Sequence, residues 1–293
     1  MTHVRVGCVY RPQFAPELLA DAARTADDAG LDELWLWEDC FLSGGVSAAA
    51  IALSNSTRLT VGVGVLPFPM RNVAATALEI ATLSRAFPGR VRIGLGHGVQ
   101  DWMAQIGEKV ASPMTLMREY VTALRALLDG ERVTVSGRYV VLDDVALDWP
   151  PEPGLEILCG AGGPRSLQLS GELASGTVIS GGTTPAALRD AITHIEAGRS
   201  IRADAVPHSV ITYLLCATGK DAKTRVLEEI QHWELDPEAD VAVHGSPADI
   251  AEAAERWIEA GTDTIVFQPA ADVDVNEFIA EIGGSVQPLI RPR

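Results

Sequence analysis

Short apolar runs closed by turn residues alternate along this chain with longer segments whose apolar positions recur at helical spacing. The runs predict strands at Val4–Val9, Glu33–Trp37, Leu59–Val65, Val91–Leu95, Glu156–Cys159, Thr177–Ser180, Ser209–Ala217 and Thr264–Gln268. The segments between them predict helices at Pro16–Ala29, Val46–Ser54, Val73–Phe87, Pro113–Leu128, Pro164–Ala174, Pro185–Arg199, Asp221–His232 and Pro247–Ala260. Eight strands alternating with eight helices is the signal of an α/β fold of the (β/α)8 barrel type. A doubly wound open sheet gives a similar alternation with fewer strands. Barrels of about 250 residues are routinely one domain, so residues 1–293 are expected to form a single one.

Local punctuation agrees with these elements. Pro113, Pro164, Pro185 and Pro247 each stand in a first helical turn, where a missing N–H costs nothing. Gly30 and Gly261 follow Ala-rich helices at C-cap positions. One segment breaks the alternation. Arg132–Val135 and Arg138–Leu142 are β-rich runs around Ser136-Gly137, which predicts a hairpin inserted between the fourth helix and the fifth strand, with extended chain following through Trp149 to Pro151.

Glycines gather at several predicted strand ends. Pro88-Gly-Arg-Val-Arg-Ile-Gly-Leu-Gly-His-Gly98 ends a buried run on Gly94, Gly96 and Gly98. In Thr60-Val-Gly-Val-Gly-Val-Leu-Pro67, Gly62 and Gly64 interrupt a β-branched strand, where glycine is costly unless something approaches the backbone or the strand bulges. Cys159-Gly-Ala-Gly-Gly-Pro-Arg165 joins a strand to a helix, and its backbone N–H groups with the helix N-terminus make an anion site or an ordinary tight turn. Ser180-Gly-Gly-Thr183 is a second turn of this kind. Ligands bind at the carboxyl ends of strands in parallel α/β proteins, so these turns outline a mouth.

Together these motifs, with Arg118 to Leu147 (REYVTALRALLDGERVTVSGRYVVLDDVAL), resemble the bacterial-luciferase-like oxidoreductases, and within them the deazaflavin-dependent branch related to methylenetetrahydromethanopterin reductase. The resemblance implies a barrel that moves a hydride between reduced coenzyme F420 and a small organic substrate, reducing a C=N, C=C or carbonyl group. FMN is the alternative cofactor, with monooxygenation by molecular oxygen as its chemistry. It implies a non-prolyl cis peptide at Gly64–Val65 beneath the cofactor ring, and a hairpin insertion beside the barrel mouth; Tyr139 and its neighbours either reach that mouth or belong to a hairpin set away from the site. The cofactor phosphate is placed at Gly162, Gly163, Pro164 and Arg165, with Gly98, Ser180, Gly181 and Gly182 as further cofactor contacts. Trp37-Glu-Asp-Cys-Phe41 carries Asp39-Cys40 where many relatives have Asp-His, so Asp39 is kept for hydrogen bonding and proton supply while an imidazole role at Cys40 is lost. Val99 stands where deazaflavin-dependent sugar-phosphate dehydrogenases have a catalytic Glu, which argues against their chemistry. His97, at a strand end, is the second candidate proton donor. Tyr10, Cys40, Phe41, Phe68 and Trp102 are expected to shape the substrate pocket.

Composition narrows the remaining classes. A net charge of −16 argues against binding nucleic acid through its phosphates. Four cysteines without a CxxC argue against a zinc site or a disulfide scaffold, and no metal is expected. No signal peptide and no membrane-length apolar run is read in the chain, so a reduced, cytoplasmic protein is expected, acting as a homodimer on a small molecule. Two other classes stay open: a flavin-binding protein without turnover, and a metal-dependent barrel hydrolase, for which the needed His and carboxylate ligands are too few.

Overall fold

The computed structural model describes residues 4–202 and 206–290. Nine strands build its main sheet or extend it: β1 (Arg5–Val9), β2 (Glu33–Leu36), β3 (Thr60–Pro67), β4 (Val91–Gly96), then β7 (Ile157–Gly160), β8 (Gly176–Ile179), β9 (Ser209–Thr218), β10 (Ala242–Gly245) and β11 (Thr264–Pro269). β5 (Val133–Ser136) and β6 (Val141–Val145) form the separate antiparallel hairpin. In the main sheet β1, β2, β3, β4, β7, β8, β9 and β11 are paired in parallel in that order, and β11 returns to β1. The ring is therefore the closed barrel expected. Its ninth strand, β10, adds in parallel to the C-terminal half of β9, pairing Ala242 with Leu215 and Gly245 with Thr218. Its four residues bury only Val243, so they carry no apolar run to announce a strand.

The helices follow the punctuation. α1 (Leu19–Asp28), α2 (Gly45–Ser54), α3 (Val73–Ala86), α5 (Pro113–Leu128), α6 (Pro164–Leu173), α7 (Pro185–Arg199), α8 (Ala222–His232) and α9 (Pro247–Ala260) occupy the eight expected places. Pro is the first residue of α5, α6, α7 and α9, and Gly261 caps α9 with φ +111°. Two short helices were not expected: α4 (Gln100–Gln105) at the mouth, and α10 (Val275–Glu281), which packs on α1. None of the described helices is long and apolar enough to cross a membrane.

The barrel interior is filled in layers, which confines any site to one end. At the N-terminal floor, fully buried Glu33 accepts from Trp35 Nε1 at 2.6 Å and pairs with Arg92 at 3.0 Å and Arg5 at 2.8 Å. Arg92 also donates to Thr264 Oγ1 and Ser209 Oγ, so the buried charges are matched, as they must be to persist away from water. Above the floor Trp35 packs with Val9, Leu158, Val178, Ile211, Tyr213 and Val266. Gly62 makes room for it: a Cβ there would lie 2.4 Å from the Trp35 ring. The approaching group inferred for that glycine is thus the barrel's own indole. Cys8, Cys159 and Cys216 are buried free thiols on the strands.

The hairpin turns later than expected, with Ser136 opposite Val141 and the loop spanning residues 137–140. Glu119 on α5 accepts from the N–H groups of Arg138, Tyr139 and Val140, and the Tyr139 hydroxyl accepts from Ser112 N at 2.8 Å. Tyr139 is spent on this anchoring and does not line the cavity described next.

Candidate active site

With the floor closed, the C-terminal strand ends surround a cavity of about 800 Å³. Loops after β1, β2, β4, β7 and β8 contribute to it, as do residues on β3, β9 and β11 and the chain that leaves α8. Of the residues expected at the site, Asp39, Cys40, Gly64, Val65, His97, Gly98, Trp102, Gly162, Ser180 and Gly181 line it.

The seat of the cavity is the end of β3. The Gly64–Val65 peptide is cis, as the resemblance implies, and so is Cys40–Phe41. Tyr213 donates its hydroxyl to Gly64 O at 3.3 Å from β9. The Val65 side chain lies over neighbouring strands whose glycines leave it space: a Cβ at Gly96 would sit 2.5 Å from Val65 Cγ2, and one at Gly160 2.9 Å from Cγ1. The bare backbone of β4 therefore admits Val65, and Val65 in turn presents an apolar surface to the cavity.

Two titratable groups face this space with opposite displacements. Burial raises the Asp39 carboxyl above its ordinary value, only partly offset by hydrogen bonds from Trp37 and Gln13 and by the Arg11 guanidinium. Trp37 Nε1 donates to Asp39 Oδ2 at 2.7 Å. Burial lowers His97, whose ring meets Phe68 edge-on at 6.0 Å and whose Nδ1 is buried without a protein partner. At neutral pH the imidazole is thus neutral, with an unsatisfied nitrogen, while Asp39 retains its proton to a higher pH than a free carboxyl. Such divergence marks groups suited to acid–base work.

The anion-site expectation divides. Gly160, Ala161, Gly162, Ser180 and Gly181 line the cavity, whereas Gly163, Pro164 and Arg165 lie just outside it at the exposed start of α6. No side chain caps that helix, so its first N–H groups are not taken by a side chain. Arg165 has no hydrogen bond or ion pair among the described residues. Gly182, at φ +85°, shapes the turn; a Cβ there would lie 2.8 Å from Leu235.

Three pocket expectations are corrected. Tyr10 is buried and donates to Ala15 O at 2.6 Å, bordering a separate cavity of about 250 Å³. Phe68 is buried against Tyr120 in the core, and Phe41 points outward, 64% exposed. In their place stand residues that sequence reading missed: Gln13, Trp37, Leu42, Tyr213, Gln268, and above all His232, Trp233 and Leu235 at the end of α8. Trp233 Nε1 donates to Glu229 Oε2 at 2.9 Å, and Glu229 Oε1 accepts from buried Arg11 at 2.8 Å and from Ala271 N at 2.6 Å. Nothing in the local pattern of a surface helix announces that its last turn bends over a distant strand end.

A family model described as luciferase-like monooxygenase matches residues 2–235. The chain belongs to that family. Among its luciferase-like relatives, an F420-dependent glucose-6-phosphate dehydrogenase of Kineococcus radiotolerans is 28% identical across 96% of this chain and 95% of its own. A 5,10-methylenetetrahydromethanopterin reductase of Methanolobus tindarius is 29% identical across 74% and 66%. In architecture, an F420-dependent secondary alcohol dehydrogenase solved with an F420-acetone adduct superposes with a TM-score of 0.87 at 20% identity, covering 99% of both chains. The coenzyme F420-dependent tetrahydromethanopterin reductase from Methanopyrus kandleri gives 0.84 at 20%, covering 98% of this chain and 99% of that one. The luciferase-like barrel expected from the motifs is therefore met at the level of family and fold.

Proposed function

We propose that this protein is an F420-dependent oxidoreductase that transfers a hydride between the deazaflavin and a small organic substrate bearing a C=O, C=N or C=C group. The observation that carries this reading is the seat at Gly64–Val65, held from below by Tyr213 and bordered by Asp39 and His97 in one cavity. The residues present fit the cofactor. Val65 offers an apolar face of the kind a flat ring system packs on, and His97 Nδ1 is a buried polar atom in need of a partner. The glycine turns at 160–163 and 180–182, with the uncapped start of α6 and Arg165, have the donor chemistry for a phosphate.

When bound, the deazaflavin supplies two-electron hydride chemistry; the protein supplies binding, orientation and proton control. Trp37, Trp102, Trp233 and the leucines around them give the reacting region an apolar lining. Asp39, whose carboxyl burial raises above its ordinary value and Trp37 Nε1 orients, supplies or accepts the proton at the substrate heteroatom. His97, neutral at physiological pH, orients substrate or a water through its unsatisfied nitrogen. The apolar side chains Ile51 on α2 and Leu78 on α3, both exposed, support a homodimer formed through these helices.

The reading is tested by loading the protein with reduced F420 and following reoxidation of the deazaflavin absorbance, without oxygen, across a panel of ketones, imines and enones. Acceptor-dependent reoxidation supports it. Reoxidation by none of them, with cofactor demonstrably bound, would leave a cofactor-binding protein without this activity.

A further inference from the structure

One of the relatives aligned over nearly the whole chain is named for a sugar phosphate, yet this cavity lacks what recognition of a phosphate monoester needs. Among the described residues, no Lys or Arg side chain lines it. Arg165 stands just outside the cavity at the start of α6, on the side assigned to the cofactor phosphate, and Arg11 is 1% exposed, with its Nη1 donating to Glu229 at 2.8 Å and to Pro269 O at 3.0 Å. The charged side chain that does face the cavity is the Asp39 carboxyl, of the same sign as a phosphate. A net charge of −16 adds long-range repulsion. Phosphate recognition in a water-poor site relies on Arg or Lys forks or on amide nests, and the nests here lie on the side assigned to the cofactor.

The remaining lining has a different character. Trp37, Trp102, Trp233, Leu42, Leu215 and Leu235 form an extended apolar wall, interrupted by the neutral donors and acceptors Gln13, Ser180 and Gln268. Arg11 serves this wall. It anchors Glu229, which takes the Trp233 indole N–H at 2.9 Å, and its own guanidinium lies 6.0 Å from the Trp233 ring centroid. A buried ion pair is thus spent on fixing the angle of one aromatic side chain over the cavity.

We propose that the substrate is an uncharged molecule with a largely apolar body, and not a phosphorylated sugar. Trp233 is the specificity wall of its subsite, and Glu229 with Arg11 are positioning residues for Trp233. The proposal rests on the oxidoreductase reading and adds the substrate class to it.

The test is a ligand titration read by intrinsic tryptophan fluorescence, with the cofactor-free and the F420-loaded protein. The probes are cyclohexanol, cyclohexanone, glucose 6-phosphate and inorganic phosphate. Saturable quenching by the neutral probes, indifferent to salt, is expected, with no saturation by either phosphate. Trp233→Ala should weaken cyclohexanone binding roughly tenfold, the loss expected for one buried aromatic contact, and Trp233→Phe should restore most of it. Glu229→Gln should raise KM for the neutral substrate while leaving kcat within a few-fold, with circular dichroism reporting that the fold is intact. Saturable, salt-sensitive binding of glucose 6-phosphate, or failure of the neutral probes to bind either form, overturns the proposal. Failure of F420 to bind would instead remove the oxidoreductase reading, and the cofactor-free titration would still decide between neutral and phosphorylated ligands.

Discussion

At the scale of single residues, the site is governed by what side chains need from their neighbours' backbones. Val65 stands at the centre of the proposed seat because Gly96 and Gly160 have no Cβ to obstruct it. Gly96→Ala should displace Val65 and destabilise the protein by about 1–3 kcal/mol, the usual cost of overpacking, while weakening F420 binding; denaturant melts and a cofactor titration read the two effects. The glycines of β3 and β4 were legible in the sequence as close-approach positions, but which group approaches was not, because Trp35 and Val65 reach them only after the barrel closes. Asp39 was legible from its place after a strand. Its raised pKa depends on burial, which only the folded cavity creates. On the proposed reading, carbonyl reduction should slow as pH rises through the Asp39 ionisation, which burial moves above 3.8. Asp39→Asn should abolish that limb and lower kcat by about 10²–10⁴-fold, as measured by a pH–rate profile of the variant against the parent.

At the scale of elements, the strands and helices with sustained periodicity were readable, and the exceptions have physical causes. β10 buries one side chain and is held by pairing with β9, so its strand character is tertiary. α10 did leave a signal, with Val275, Phe278 and Ile279 buried at helical spacing behind the N-cap Asp274. The end of α8 left none, because Trp233 and Leu235 look like ordinary surface positions until Arg11 and Glu229 draw that turn across the mouth. The hairpin was read correctly as an insertion, but its placement follows from Glu119, which gathers three backbone N–H groups. Glu119→Ala should therefore free the hairpin. Hydrogen exchange at residues 133–145 should accelerate strongly while the F420 dissociation constant stays unchanged.

At the scale of the whole molecule, a filled interior and a closed floor direct all ligand chemistry to one end of the barrel. Glu33→Ala would leave Arg92 with Glu156 at 3.1 Å as its remaining carboxylate and Trp35 Nε1 without its acceptor, and should cost about 3 kcal/mol in a urea melt, the low end for breaking a buried ion pair. Acid should loosen the fold through a group remote from the mouth. His208 is lowered from 6.5 to about 4 by burial and by nearby Arg199 and Arg202, against a hydrogen bond to Ala174 O. Because its folded-state value is depressed, its contribution to stability is intact above pH 6.5 and is lost as pH falls towards 4. A thermal melt series across that window should show a decline that His208→Gln reduces.

The central claim, that the cavity over Gly64–Val65 is a deazaflavin site, is tested most directly by titrating the purified protein with F420 and, separately, with FMN, following quenching of the tryptophans that line the cavity. Saturable binding of F420 at lower concentration than FMN, weakened by Gly96→Ala, is the result this account predicts. Preferential binding of FMN, or binding of neither, would contradict it.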